Sequence, residues 1–174
     1  MSRSPVPTGL YDPAAEHDNC GVAFVATLRG TPGRDIVDAG LTALHNLDHR
    51  GAVGAEVDTG DGAGILTQIP DAFLRDVVHA DLPAPGHYAI GTGERRRQER
   101  GVETIAAVEG LEVLAWRDVP VQADLVGSIA RSTMPVFRQL VVADPARELA
   151  GVDLDRRTFR VRKRAEHELG LYFA

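Results

Sequence analysis

Apolar positions in this 174-residue chain come in short runs, set apart by glycine, proline and charge, and their period switches between two and three-to-four residues. Residues 20–28 place Val22, Phe24 and branched neighbours where a half-buried strand wants them. The RGTPG run at 29–33 is a turn signal. Over residues 34–49, Ile36, Gly40, Ala43, Leu44 and Leu47 recur at spacings of three and four, which predicts a helix with one apolar face. Asp35 and Asp38 lie in its opening turns and His49 and Arg50 at its close, as the helix dipole favours. Gly51 suits the left-handed position beyond its end.

The same reading continues downstream. Residues 63–69 predict a strand, 70–79 a short helix using Phe73 and Val77, and 86–92 another strand. Residues 93–110 predict a charged helix broken or frayed at Gly101, and 111–116 a strand. A short helix over 124–132 is expected to be capped by Asp124, whose carboxylate can accept from the orphan amides of the first turn. Residues 136–143 predict a strand, 153–169 a basic helix, and 171–174 the start of a further strand. Without an internal repeat or a long linker, the alternation of strands and helices describes one mixed domain.

Residues 1–19 do not fit that alternation. Pro5, Pro7, Gly9 and Pro13 keep the backbone extended and remove donors, so no regular element is expected there. The segment is either a frayed terminus or a leader removed at the Asn19–Cys20 bond. Removal would turn the Cys20 backbone nitrogen into a free amine beside its thiol, and an amine titrating near pH ~8 could serve as base for that thiol.

Composition narrows the functional classes. Hydrophobic residues make up 44% and charged residues 25%, a globular balance with no apolar run long enough to span a bilayer. Net charge is −6, which disfavours general nucleic-acid binding. The single cysteine excludes an internal disulfide and suits a reducing, cytoplasmic setting. Two basic runs, RRR at 95–97 and RRTFRVRKR at 156–164, suggest a solvated helix face or a face for a neighbouring segment. His45 and His49 stand at i, i+4 spacing, but no third ligand with comparable spacing accompanies them, so no metal is expected.

Three stretches carry a resemblance: EHDNCGVAFVA at 16–26, GLTALHNLDHRGA at 40–52 and DTGDGAGILTQIP at 58–70. Together they resemble the amino-terminal region of the glutamate synthase large subunit, a class-II glutamine amidotransferase of the N-terminal-nucleophile type. The resemblance implies an α+β fold, the αββα sandwich of such hydrolases, represented here incompletely. It further implies that residues 1–19 are a propeptide and 20–174 the first portion of the amidotransferase domain.

It also implies a chemistry: the Cys20 thiolate attacks the side-chain amide carbonyl of glutamine, ammonia leaves, and water hydrolyses the thioester. Arg50 would grip the α-carboxylate of glutamine, and a planar guanidinium matches a carboxylate through two parallel bonds. Gly51, Thr59, Asp61 and Gly62 would line the pocket. By composition alone the TGDGAG loop at 59–64 reads as a tight loop leading into a strand. His17 belongs to the leader and is not expected to act.

The family's oxyanion hole uses an Asn-Gly pair, whereas the asparagines of this sequence are Asn19 and Asn46 and neither precedes glycine. The expected partners are therefore glutamine and the remainder of a glutamate synthase or a complementing chain, with neither nucleic acid nor membrane. No cofactor is expected in this chain, the family's FMN and iron–sulfur regions lying elsewhere. The alternative is a catalytically inactive remnant or interaction module.

Overall fold

The computed structural model describes residues 21–47, 62–94 and 98–173. The chain divides into two compact units, Met1–Leu66 and Thr67–Ala174.

In the first unit the predicted helix forms as α1, Arg34–Asn46. Its apolar face is as read: Ile36, Gly40, Ala43, Leu44 and Leu47 are half-buried, while Arg34, Asp35, Asp38, Thr42 and His45 are exposed. Arg34 Nε pairs with Asp38 Oδ1 at 2.8 Å one turn on, a contact worth a few tenths of a kcal/mol, ~0.3–0.5, on an exposed face. The helix closes on Leu47, whose N–H donates to Ala43 O at 3.2 Å and Leu44 O at 3.1 Å. It therefore ends before His49, which lies outside the described residues together with Gly51.

The strand expected over 20–28 is not formed by residues 21–27, which join no sheet, with Val22 and Phe24 about nine-tenths exposed. The same holds for residues 63–69. Apolar alternation measures how well side chains suit a pleated surface, but a strand exists only through a ladder partner, and none is present for these segments among the described residues. The turn after the first segment is real, with Gly30 at φ +64°.

The second unit is an α+β arrangement around one small sheet. Its elements are α2 (Asp71–Val77), β1 (Tyr88–Glu94), α3 (Glu99–Val108), β2 (Glu112–Asp118), α4 (Ser128–Thr133), β3 (Phe137–Ala143) and α5 (Gly151–Leu169). The sheet order is β1-β3-β2 with both pairings antiparallel. Tyr88 faces Ala143 across one ladder and Glu112 faces Ala143 across the other.

The central strand β3 explains the layering. Leu140, Val141, Val142 and Ala143 are all buried, and side chains alternate between the two faces of a strand. Leu140 and Val142 join Val102, Ile105, Leu111, Leu154, Val161 and Phe173 in a core beneath α3 and α5. Val141 and Ala143 join Leu74, Val78, Leu82 and Tyr88 in a second core beneath α2. Such a continuous apolar run is what a strand covered on both faces requires. In β2 the ladder slips between Val113 and Ala115. Leu114 and Ala115 consequently both pack toward the α2 core, while Val113 and Trp116 pack toward the other.

Two of the expected helices start later than their sequence patterns suggest. The helix expected over 93–110 begins at Glu99, because Gly93 and Glu94 are the end of β1, and it runs unbroken through Gly101. There the absent side chain lets α5 approach: a Cβ at Gly101 would lie 2.9 Å from Leu169 Cδ1. The helix expected over 124–132 starts four residues late, at Ser128 after Gly127, because Val126 is extended (φ −106°, ψ 145°). Asp124 sits in a preceding turn of 3-10 helix and caps nothing, pairing instead with Arg131 Nη1 at 3.4 Å.

The closing strand is reduced to one antiparallel bridge, Gly93 to Phe173. It follows Gly170, whose φ of +62° ends α5 in the left-handed conformation.

Candidate functional site

Of the residues singled out for chemistry, Asn19, Cys20, Arg50, Gly51, Thr59 and Asp61 lie outside the described residues. Gly62 is described: it is exposed, unpaired, and a Cβ there would meet nothing within 4 Å. The described neighbours of the two leading candidates are Gly21, which follows Cys20, and Leu47, three residues before Arg50. These two touch. A Cβ at Gly21 would stand 2.9 Å from Leu47 Cδ2 and 3.2 Å from Cδ1. Sequence reading placed Leu47 on the apolar face of α1 but gave it no role, and nothing in its spacing signals that it meets position 21.

The second basic run is paired rather than poised. Arg160 Nε and Arg164 Nη1 reach the two carboxylate oxygens of Glu109 at 3.0 and 3.1 Å. Arg162 and Lys163 pair with Glu166 at 2.8 and 2.7 Å, and Arg164 Nε with Glu168 at 2.7 Å. Those guanidiniums hold Glu166 and Glu168 below the usual carboxylate range. The run is thus a solvated, ion-paired helix face, as one of the two readings had it. The first run, at 95–97, lies outside the described residues.

A cavity of about 270 Å³ lies between α5 and the sheet, floored by Ala89, Gly91, Leu140 and Val142. Its wall includes Thr158, Phe159, Val161 and Arg162 of the second basic run but none of the residues proposed for catalysis or substrate binding. Among the described residues no cluster of three His, Cys, Asp or Glu could hold a metal ion, and no helix is long and apolar enough to cross a membrane.

Comparison with known proteins bears on the whole chain. Residues 20–172 match the family model described as glutamine amidotransferases class-II, so the match begins at Cys20 itself. The chain is 38% identical over 186 residues to the glutamate synthase [NADPH] large chain of Bacillus subtilis, covering 99% of this chain and 12% of that protein. It is 36% identical over 179 residues to ferredoxin-dependent glutamate synthase 2 of Synechocystis, covering 93% and 11%. Against the glutamate synthase [NADH] of Saccharomyces cerevisiae it is 36% identical over 183 residues, covering 94% and 8%. The chain thus spans about a tenth of the length of these relatives.

Proposed function

The chain belongs to the class-II glutamine amidotransferases, and from that premise we propose that it is the glutaminase portion of a glutamate synthase, releasing ammonia from glutamine for glutamate biosynthesis. The observation that carries this reading is the family match over 20–172, which takes the lone cysteine as its first residue.

In this reading residues 1–19 are removed as a propeptide, and the freed amine of Cys20 takes the proton from its own thiol. The thiolate attacks the amide carbonyl carbon of glutamine, forming a C–S bond. The proton passes to the leaving nitrogen, the C–N bond breaks, and ammonia departs. Water then attacks the thioester, giving glutamate and restoring the thiol. Arg50 holds the substrate carboxylate, with Gly51, Thr59, Asp61 and Gly62 lining the pocket.

Oxyanion donors contribute strongly to such acyl transfer, about 100-fold or more each. This sequence has no Asn-Gly pair. We therefore assign the donors, and the rest of an N-terminal-nucleophile αββα sandwich, to the remainder of the synthase polypeptide or a complementing chain. The α+β unit with its small antiparallel sheet is compatible with that fold.

The test is the intact mass of the purified, untagged chain, followed by glutamate and ammonia release from glutamine, alone and with the remaining polypeptide supplied. The expected result is a mass beginning at Cys20 and a hydrolysis that Cys20→Ala abolishes. A chain processed to Cys20 that releases no ammonia in either setting would overturn the assignment.

A further inference from the structure

The two outer strands of the small sheet are finished differently. β2 carries Glu112, Arg117 and Asp118, and its ladder slips between Val113 and Ala115. Charge and a bulge are how an edge is guarded against further pairing. β1 has neither device over Tyr88–Gly93: the run YAIGTG is uncharged and its register with β3 is unbroken. On its outer side the one pairing among the described residues is the antiparallel bridge of Gly93 to Phe173. From Tyr88 to Thr92 that edge is open.

The side chains beside this edge add a second observation. Ala89 and Gly91 stand opposite Val142 and Leu140, and residues two apart share a face, so Ala89, Gly91 and Gly93 all lie on the face that α5 covers. Over Gly93 the absent side chain is replaced by the ring of Phe173, which a Cβ there would meet at 2.6 Å. An aromatic from a neighbouring strand thus covers an edge glycine. At Gly91 the same ring comes within 3.6 Å of a Cβ, and alongside it lies the cavity of about 270 Å³ walled by Ala89, Phe159 and Arg162. That is several times the roughly 30 Å³ of one water, and Phe159 on its α5 side is 57% exposed.

We propose that the outer edge of β1 is a strand-docking site. An extended segment of the remaining synthase polypeptide adds to it antiparallel, as Phe173 does at Gly93, and sets a large apolar side chain opposite Gly91 and into the cavity. Backbone pairing gives such docking its affinity, and the pocket for an alternate side chain gives its specificity. The occupant belongs to the synthase because this chain spans about a tenth of its relatives, so most of such a polypeptide lies outside the match. That choice of occupant rests on the synthase reading above.

The test co-expresses this chain with the remaining synthase polypeptide and compares amide hydrogen exchange in the complex and in the chain alone. Exchange at the outward amides of Tyr88–Thr92 is expected to slow about 10-fold or more in the complex, with β2 unchanged. Two variants address the two halves of the site. Thr92→Lys puts a charge on the edge, and Ala89→Phe fills the cavity from within; each is expected to weaken the complex about 10-fold or more. Circular dichroism and the Tm of each variant alone check folding. Should Ala89→Phe not fold, the smaller Ala89→Val is expected to weaken the complex about 3-fold.

No complex, protection at β2 in place of β1, or a complex indifferent to both variants would overturn the proposal. So would a chain that dimerises alone with β1 protected, since the occupant would then be a second copy. A complex protected at β1 that releases no ammonia would fail the glutaminase reading and keep this one. Ammonia release restored while β1 still exchanges freely would do the reverse.

Discussion

Tyr88, the first residue of β1, donates its hydroxyl to Oδ1 of Asp71, the first residue of α2, at 2.8 Å across 17 positions of chain. The same carboxylate accepts Arg75 Nε at 2.8 Å on Oδ2 and Nη2 at 3.0 Å on Oδ1. Arg75 also donates to the carbonyls of Leu82 and Pro83 at 3.1 and 2.6 Å. One hydroxyl, one carboxylate and one guanidinium thus close the connection between α2 and β1 over the buried Leu74, Val78 and Leu82.

Burial, and then the bond to Asp71, push the Tyr88 phenol up to about 12. The folded state therefore holds this proton more tightly than the unfolded chain, whose tyrosines titrate near pH ~10. The stabilisation is complete below pH ~10 and is lost as pH rises toward about 12. In Tyr88→Phe that component of alkaline destabilisation is expected to vanish, at a cost of about 1 kcal/mol near neutrality for the lost hydrogen bond. Urea unfolding at a series of pH values checks both; a Tyr88→Phe curve parallel to the parent up to pH ~12 would refute the coupling.

Gly93 makes room for Phe173. A Cβ at position 93 would lie 2.6 Å from Phe173 Cε1 and 2.9 Å from Cζ, and these two residues form the antiparallel bridge that fastens the segment after α5. A β-branched residue suits a strand by propensity, yet Gly93→Val is expected to destabilise by about 1–3 kcal/mol because the ring must leave its place. In a Phe173→Ala background the same substitution is expected to cost less than half as much. A thermal-unfolding double-mutant cycle reads the coupling, and additive effects would show that the ring moves aside freely.

Glu109 binds α3 to α5. Its carboxylate, only 14% exposed, faces Arg160 and Arg164, while its carbonyl accepts Arg157 Nη1 at 3.0 Å. Gly110, at φ +77° and packed on Arg157, turns the chain directly afterwards. Glu109→Gln is expected to cost about 1–2 kcal/mol, since charge-assisted bonds are replaced by neutral ones. The partners are partly exposed, so the parent is expected to lose that advantage between about 0.05 and 0.5 M salt while the variant does not. Denaturant midpoints at the two salt concentrations decide it.

What could be read in the sequence follows from how local each signal is. The face of α1 is carried by five positions within one helix, and the strands ending in the LVVA run of β3 by apolar residues that only a doubly covered strand can bury. By contrast, the pairing that residues 21–28 would need is a property of another segment, and Phe24 carries no mark of it. The late start of α4 turned on Val126 adopting an extended conformation, against which Asp124 as a cap was a purely local argument. For the site, the family resemblance pointed to Cys20 and Arg50 without geometry. The contact of Gly21 with Leu47, 26 positions apart, could not be inferred because a glycine chosen for closeness looks like one chosen for flexibility.

Arg50 offers the most direct test of substrate identity. If its guanidinium holds the α-carboxylate of glutamine by two parallel bonds, truncation removes binding common to ground and transition states. Arg50→Ala is then expected to raise KM about 30-fold, equivalent to about 2 kcal/mol, with kcat within a few-fold. Arg50→Lys is expected to recover only part, because an ammonium keeps the charge but cannot present the planar fork. Steady-state kinetics on glutamine measure all three proteins. An unchanged KM in Arg50→Ala would remove Arg50 from the pocket and leave the α-carboxylate to be held by another cation, whereas a fall in kcat alone would mean that Arg50 acts on the transition state rather than on substrate capture.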